Sequence, residues 1–153
     1  MVSGADLLAR ARAALATVTD PELPPLTIAD LGILRDVVAD GEGVEVLITP
    51  TYSGCPAMVE ITAAIRAALA EAGIAPARVR TVLAPAWTTD WVSAEGRQKL
   101  AAAGIAPPTR QPPRCPRCAS PATELLSAFG ATACKALWRC TACREPFDAF
   151  KCH

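Results

Sequence analysis

A chain of 153 residues, 52% hydrophobic and formally neutral, is long enough for one ordinary domain or for a domain with a small module attached. No apolar run approaches the roughly 20 residues of a membrane span. The neutrality hides an uneven layout: residues 1–108 hold 8 Lys/Arg against 12 Asp/Glu, and residues 109–153 hold 7 against 3, which excludes a uniformly basic nucleic-acid binder and predicts two parts with different surfaces.

The start, "MVSGADLLARARAALATV", lacks the basic head, continuous apolar centre and small-residue cleavage site of an export signal, so a cytoplasmic protein is expected. Leu7, Leu8, Ala11, Ala14 and Leu15 recur at helical spacing and predict a helix from about Ala5 to Val18, with Ser3 as its cap. The prolines of "TDPELPPLTIADLG" stop any regular helix through residues 21–25, and Gly32 can end a short turn. "ILRDVVAD" and "VEVLITP" read as antiparallel strands joined at Gly41–Gly43. Met58, Ile61, Ile65, Ala68 and Leu69 mark one face of a second helix ending near Gly73. "ARVRTVLAP" predicts a third strand, and "DWVSAEGRQKLAAAG" a broken helical stretch ending at Gly104.

The order α-β-β-α-β-α predicts a small α+β layer fold over residues 1–105. Residues 106–114, "APPTRQPPR", carry four prolines and read as a linker. Residues 115–153 then form a separate β-rich module.

That module holds six of the seven cysteines. Cys115, Cys118, Cys140 and Cys143 form C-x2-C-x21-C-x2-C. Each pair can turn two thiolates towards one ion, and a hairpin between the pairs brings them together. Four thiolates in a tetrahedron suit zinc, with iron the rival in the same cage. About 40 residues cannot bury enough core to fold unaided, so a metal is expected on stability grounds as well. The flanking cations Arg114, Arg117, Lys135, Arg139, Arg144 and Lys151 either offset the charge of the thiolates or offer a docking face. Trp138, Phe129, Phe147 and Phe150 are expected as the small core rather than as base-stacking platforms. Cys134 and Cys152, with His153, are either buried apolar groups or a second thiol-rich site.

Cys55 stands apart, between Gly54 and Pro56, where a strand turns into a helix. With Pro56 at the first helical position, Cys55 falls at or next to the N-cap. Helix N–H groups there favour a thiolate, a better nucleophile and a better soft-metal ligand than an ordinary thiol. Thr49, Thr51, Tyr52 and Ser53 can hydrogen-bond the sulfur or its cargo. The alternative is a buried cysteine that only packs. Asp20 and Glu22 of "DPEL" either build a turn or face Cys55 across the fold. Residues 1–108 contain no histidine to act as a base, and no phosphate loop or cofactor fingerprint is present. No independent enzymatic activity and no catalytic residue are expected.

"TDPELPPLTIADLGILRDV" followed by "VLITPTYSGCPAM" resembles the family of iron–sulfur assembly domains that includes bacterial SufT-like proteins and a eukaryotic cytosolic assembly-targeting factor. With "CPRC" and "TELLSAFGATACKALWRCTACREPFDAFKCH", the chain from about residue 17 onward is similar to the D proteins of the phenylacetyl-CoA epoxygenase (monooxygenase) system of aerobic phenylacetate degradation. The resemblance implies an assembly domain with a zinc-ribbon-like tail. It also implies help in assembling or delivering an iron–sulfur cluster to that oxygenase, at its reductase subunit. The family's cysteine maps to Cys55 and its acidic-proline motif to Asp20–Pro21–Glu22. A transient cluster would use Cys55 with Cys134 and Cys152, or with Cys55 of a second copy in a homodimer. Two other functions compete: a zinc-stabilised adaptor that docks on the oxygenase components, and a nucleic-acid-binding ribbon, which the acidic first part disfavours.

Overall fold

The computed structural model describes residues 3–23, 25–52 and 54–152. They form two compact units, Met1–Trp87 and Thr88–His153.

In the first unit, helix α1 spans Gly4–Leu15, and the Ser3 side chain accepts from the N–H of Asp6. This is the expected cap, which satisfies one of the four unpaired amides of a helix start. Ala11 and Leu15 are its buried stripe. A short helix, α2 (Ile28–Leu31), follows the prolines. Thr27 and Asp30 close a capping box on it, and Gly32 ends it in a left-handed conformation. Strands β1 (Leu34–Asp40) and β2 (Gly43–Ile48) make the expected antiparallel hairpin.

Helix α3, Ala57–Glu71, buries Ala57, Ile61, Ile65 and Leu69, one residue per turn. It carries the chain over to β3 (Ala77–Thr81), which pairs with β2 in parallel. A parallel pair needs such a crossover, because a tight turn cannot reverse the chain twice. The strand order β1-β2-β3 makes β2 central, and Val44, Val46 and Ile48 are each buried to 1% exposure or less. Helix α1 packs against α3 and against β1, and α3 against β3. Burying Leu- or Ile-sized side chains is worth roughly 1.5–3 kcal/mol each, so this apolar layer holds the unit together. Gly43 is fixed by contact: a Cβ there would lie 1.8 Å from the carbonyl oxygen of Pro76.

The second unit begins earlier than the sequence suggests. A 3-10 turn at Thr89–Trp91 leads to α4, Ala94–Ala102, capped by Ser93. Residues 88–105, expected with the first domain, group with the ribbon. The reason is β4, Ile105–Ala106, which α4 touches and which pairs in parallel with β7. Strands β5 (Thr123–Ser127), β6 (Lys135–Cys140) and β7 (Pro146–Phe150) complete a four-stranded sheet in the order β4-β7-β6-β5. The proline-rich stretch expected as a linker therefore runs inside this unit. Arg97 donates to the carbonyls of Pro108 at 2.8 Å and Thr89 at 3.1 Å, and Thr123 Oγ1 donates to that of Pro113 at 2.7 Å. Fold class is thus α+β, a small α-β assembly-like domain followed by a β-rich ribbon.

Candidate functional site

The two CxxC pairs meet. Cys115 and Cys118 precede β5, Cys140 ends β6, and Cys143 lies in the turn to β7. The β5–β6 hairpin sets Thr123 opposite Cys140, so both knuckles emerge at one end of the sheet. All four sulfurs lie within 4.8 Å of one another, with Cys115–Cys143 at 3.7 Å and Cys118–Cys140 at 3.5 Å. Four sulfurs about 2.3 Å from a tetrahedral ion would stand about 3.8 Å apart, so the donor set fits a metal. Cys115 and Cys140 face inward, packing with Ala106, Phe147 and Ala149, while Cys118 and Cys143 are exposed.

Backbone N–H groups converge on these sulfurs. Those of Arg117 and Cys143 approach Cys115 and Cys140 at 3.4 Å. The Cys143 N–H, then that of Ala142 and the neighbouring thiols, hold Cys140 down at about 6 against the opposing effect of burial. The Glu145 N–H pulls Cys143 the same way, but burial and three adjacent sulfurs outweigh it and push that thiol up to about 12. The four thiols thus share protons unequally, and a cation supplies the charge that lets all four ionise. Ala119 and Arg144, which follow the two pairs, have φ of 62° and 66°. Each knuckle turns back through a left-handed residue that is not glycine.

The flanking cations divide. Arg139 pairs with Glu124, and Arg117 with Glu145 at 3.9 Å. Arg114 donates to the Ala119 carbonyl at 3.1 Å, bracing the first knuckle. Lys135 is only 8% exposed, so it adds little to a docking face. Of the expected aromatic core, Phe147 and Phe150 are buried and Trp138 packs at the edge. Phe129 is exposed instead, and Lys151 Nζ lies 4.1 Å from its ring centroid.

Cys55 sits one residue before the N-cap, which is Pro56. Its carbonyl accepts from Met58 N–H at 3.2 Å, and its own N–H donates to the Tyr52 carbonyl at 3.3 Å. The loop leading to it is anchored by Thr49, whose N–H donates to the Ile33 carbonyl and whose hydroxyl donates to that of Val82 at 2.7 Å. Thr49 therefore braces the loop, while Thr51 and Tyr52 reach the sulfur. The expected thiolate activation is reversed. At 9% exposure, burial pushes the Cys55 thiol up, and the Glu22 carboxylate adds to this. The N–H of Ala57 and the hydroxyls of Tyr52 and Thr51 pull the other way without cancelling it. Gly54 beside it has φ +74° and no atom within 4 Å of where a Cβ would stand, so space is open there.

The acidic pair has split roles. Asp20 is 5% exposed, and its Oδ1 accepts from the N–H of Glu22 at 2.7 Å and of Leu23 at 3.2 Å. It builds the turn, while Glu22 is the residue whose charge reaches Cys55. Cys134 is 4% exposed, beside Thr132 Oγ1 at 3.0 Å. Cys152 is exposed, 3.5 Å from Thr89 Oγ1. Among the described residues neither joins a group of three or more metal-binding side chains. Ser53 and His153, both named from the sequence, lie outside the described residues. Sequence reading misses the Arg97 clamp, because nothing local marks a guanidinium that serves two distant carbonyls. Among the described residues no helix is long and apolar enough to cross a membrane.

Two family descriptions match the chain: an iron–sulfur cluster assembly protein over residues 8–84 and a PaaD zinc beta ribbon domain over residues 105–151. A protein of Escherichia coli (strain K12), provisionally named as the D component of 1,2-phenylacetyl-CoA epoxidase, is 53% identical over 148 residues, covering 92% of this chain and 90% of that protein. Among solved structures, a domain of unknown function, DUF59, from Bacillus anthracis is similar with a TM-score of 0.59 at 27% identity, over 63% of this chain and 93% of its own. A conserved hypothetical protein from Thermotoga maritima gives 0.51 at 31% identity, over 60% of this chain and 91% of its own.

Proposed function

The chain belongs to the PaaD family, and from that membership we propose that it is a cytoplasmic accessory protein of aerobic phenylacetate degradation that helps assemble an iron–sulfur cluster or deliver it to the phenylacetyl-CoA epoxidase complex. We assign the reductase subunit as its client.

The observation that supports this most is the placing of Cys55. It is a single thiol at the foot of α3, with hydroxyls and an amide on its sulfur, Glu22 nearby and open space beside Gly54. Delivery needs ligands that let go. A thiol with a raised pKa keeps its proton when no metal is present and yields it to iron, so binding is readily reversed. One thiol holds a cluster poorly, and Cys55 of a second copy would supply another. Of the remaining thiols, exposed Cys152 suits exchange and buried Cys134 suits packing.

The four-cysteine group is separate from this task. Zinc is the ion we assign to it: with four thiolates it leaves no open position for chemistry and only fixes the two knuckles. Iron would fit the same sulfurs, and metal analysis distinguishes them.

Anaerobic reconstitution with ferrous iron and sulfide tests the proposal. Visible charge-transfer absorption should develop in the native chain and be lost in Cys55→Ser, with the tail metal retained. Identical absorption in both proteins would overturn it. The burial of Cys55 favours a second reading, a non-catalytic adaptor that docks on the oxygenase components. On that reading Cys55→Ser would sustain full growth on phenylacetate.

A further inference from the structure

The core cluster of the ribbon covers only part of the sheet face on which it lies. Leu125 and Trp138 are cross-strand partners, and Ala136 and Ala149 pair on the same face one step along β6. Two methyl-sized side chains beside an indole leave a hollow. The proline-rich segment 107–113 walls it, giving a groove of about 530 Å³. That volume falls within the roughly 300–1,000 Å³ typical of ligand sites. The wall is held in advance by the hydrogen bonds from Arg97 and Thr123 to Pro108 and Pro113, so an occupant need not order it.

Two observations define the occupant. The polar rim carries Arg110 and Lys151, and no Asp or Glu lines the groove. Arg110 has no ion-pair partner among the described residues. The apolar surface also continues past the hollow: Leu125 is 52% and Phe129 71% exposed, and β5 is the outer strand of its sheet. A small molecule would fill the hollow and leave that surface wet. An extended chain would cover both.

We propose that this groove docks an extended segment of a partner protein in which a Leu-sized side chain, flanked by Asp or Glu, enters the hollow over Trp138 while the carboxylates meet Arg110 and Lys151. The surface serves whether or not Cys55 carries a cluster, and it shares with the cluster reading only Cys152, which stands at its rim.

Short fluorescein-labelled peptides titrated into the intact, metal-loaded chain provide the test. One carries leucines between Asp/Glu pairs, one has Lys in place of every acid, and one has Ala in place of every leucine. Saturable binding is expected for the first alone, weakening with added salt. It should drop at least about tenfold in Arg110→Glu/Lys151→Glu, whose side chains lie on the rim. It should drop comparably in Ala128→Trp, which fills the groove from an exposed position outside the core. Absence of saturation, equal binding of the Lys or Ala peptide, or undiminished affinity in both variants would overturn the proposal. So would competition by RNA or anionic vesicles as strong as by the unlabelled acidic peptide.

Discussion

The sulfur of Cys118 lies 3.5 Å from that of Cys140, although the two residues stand 22 apart in the chain. The β5–β6 hairpin makes that approach, and a metal would lock it. Structural zinc contributes on the order of 10–16 kcal/mol in small finger peptides. Cys118→Ser or Cys140→Ser should therefore abolish the tail metal and unfold the ribbon, lowering metal content from one ion per chain to near zero. Elemental analysis would show the metal loss, and near-ultraviolet dichroism, compared with that of a Trp138→Phe chain, the unfolding. Full metal content in both variants would exclude these ligands.

Cys55 should behave as a sluggish thiol. Its folded pKa is raised, chiefly by burial, so iodoacetamide should label exposed Cys152 well before Cys55 at neutral pH. Labelling of Cys55 should accelerate only above the ordinary thiol value of about 8.5. The linkage has a definite sign. A group that holds its proton more tightly when folded stabilises fully below its unfolded pKa and loses that contribution as pH rises through the folded value. Denaturation midpoints at neutral and alkaline pH should thus diverge less in Cys55→Ala than in the native chain. Glu22→Gln, which removes the neighbouring charge, should speed labelling a few-fold at fixed pH. An unchanged rate would show that Glu22 does not act on this sulfur.

Ala119 and Arg144 each hold a left-handed conformation just after a CxxC pair. An L-residue with a side chain costs roughly 1–2 kcal/mol there, and glycine costs little. Ala119→Gly and Arg144→Gly should each stabilise the ribbon by about 1 kcal/mol, seen as slower metal loss to a chelator. Faster loss in both would place the strain elsewhere.

Gly43 and Gly41 should respond differently to alanine. At Gly43 the new Cβ would meet Pro76 O at 1.8 Å, a backbone atom that cannot step aside. At Gly41 only a φ of +63° opposes the change, with nothing within 4 Å. Gly43→Ala should cost upwards of about 3 kcal/mol, and Gly41→Ala about 1 kcal/mol. Urea titration of the two variants measures the gap.

Local chemistry is readable from the sequence and distant packing is not. Ser3, Gly32 and the Gly41–Gly43 turn announce themselves, because caps and turns depend on neighbours in the chain. So do the four clustered cysteines, since each pair needs only its own two-residue spacing. The state of Cys55 stays open between an activated thiolate and a buried thiol, because helix N–H groups are visible from Pro56, whereas burial comes from residues far along the chain. Asp20 and Glu22 look equivalent in sequence for the same reason. Residues 88–105 group with the first domain on sequence because the prolines at 107–113 look like a break. Two-residue β4, which ties this segment to the ribbon, is too short to leave any periodicity.

The place of β7 between β4 and β6 has a consequence for biosynthesis. As the nascent chain leaves the ribosome, Ile105 and Ala106 emerge some forty residues before Asp148 and Ala149, their partners. Until β7 slots in, β4 is an orphan and β6 has one bare flank. The ribbon therefore cannot mature piecemeal in step with translation, and its sheet closes only once β7 has emerged.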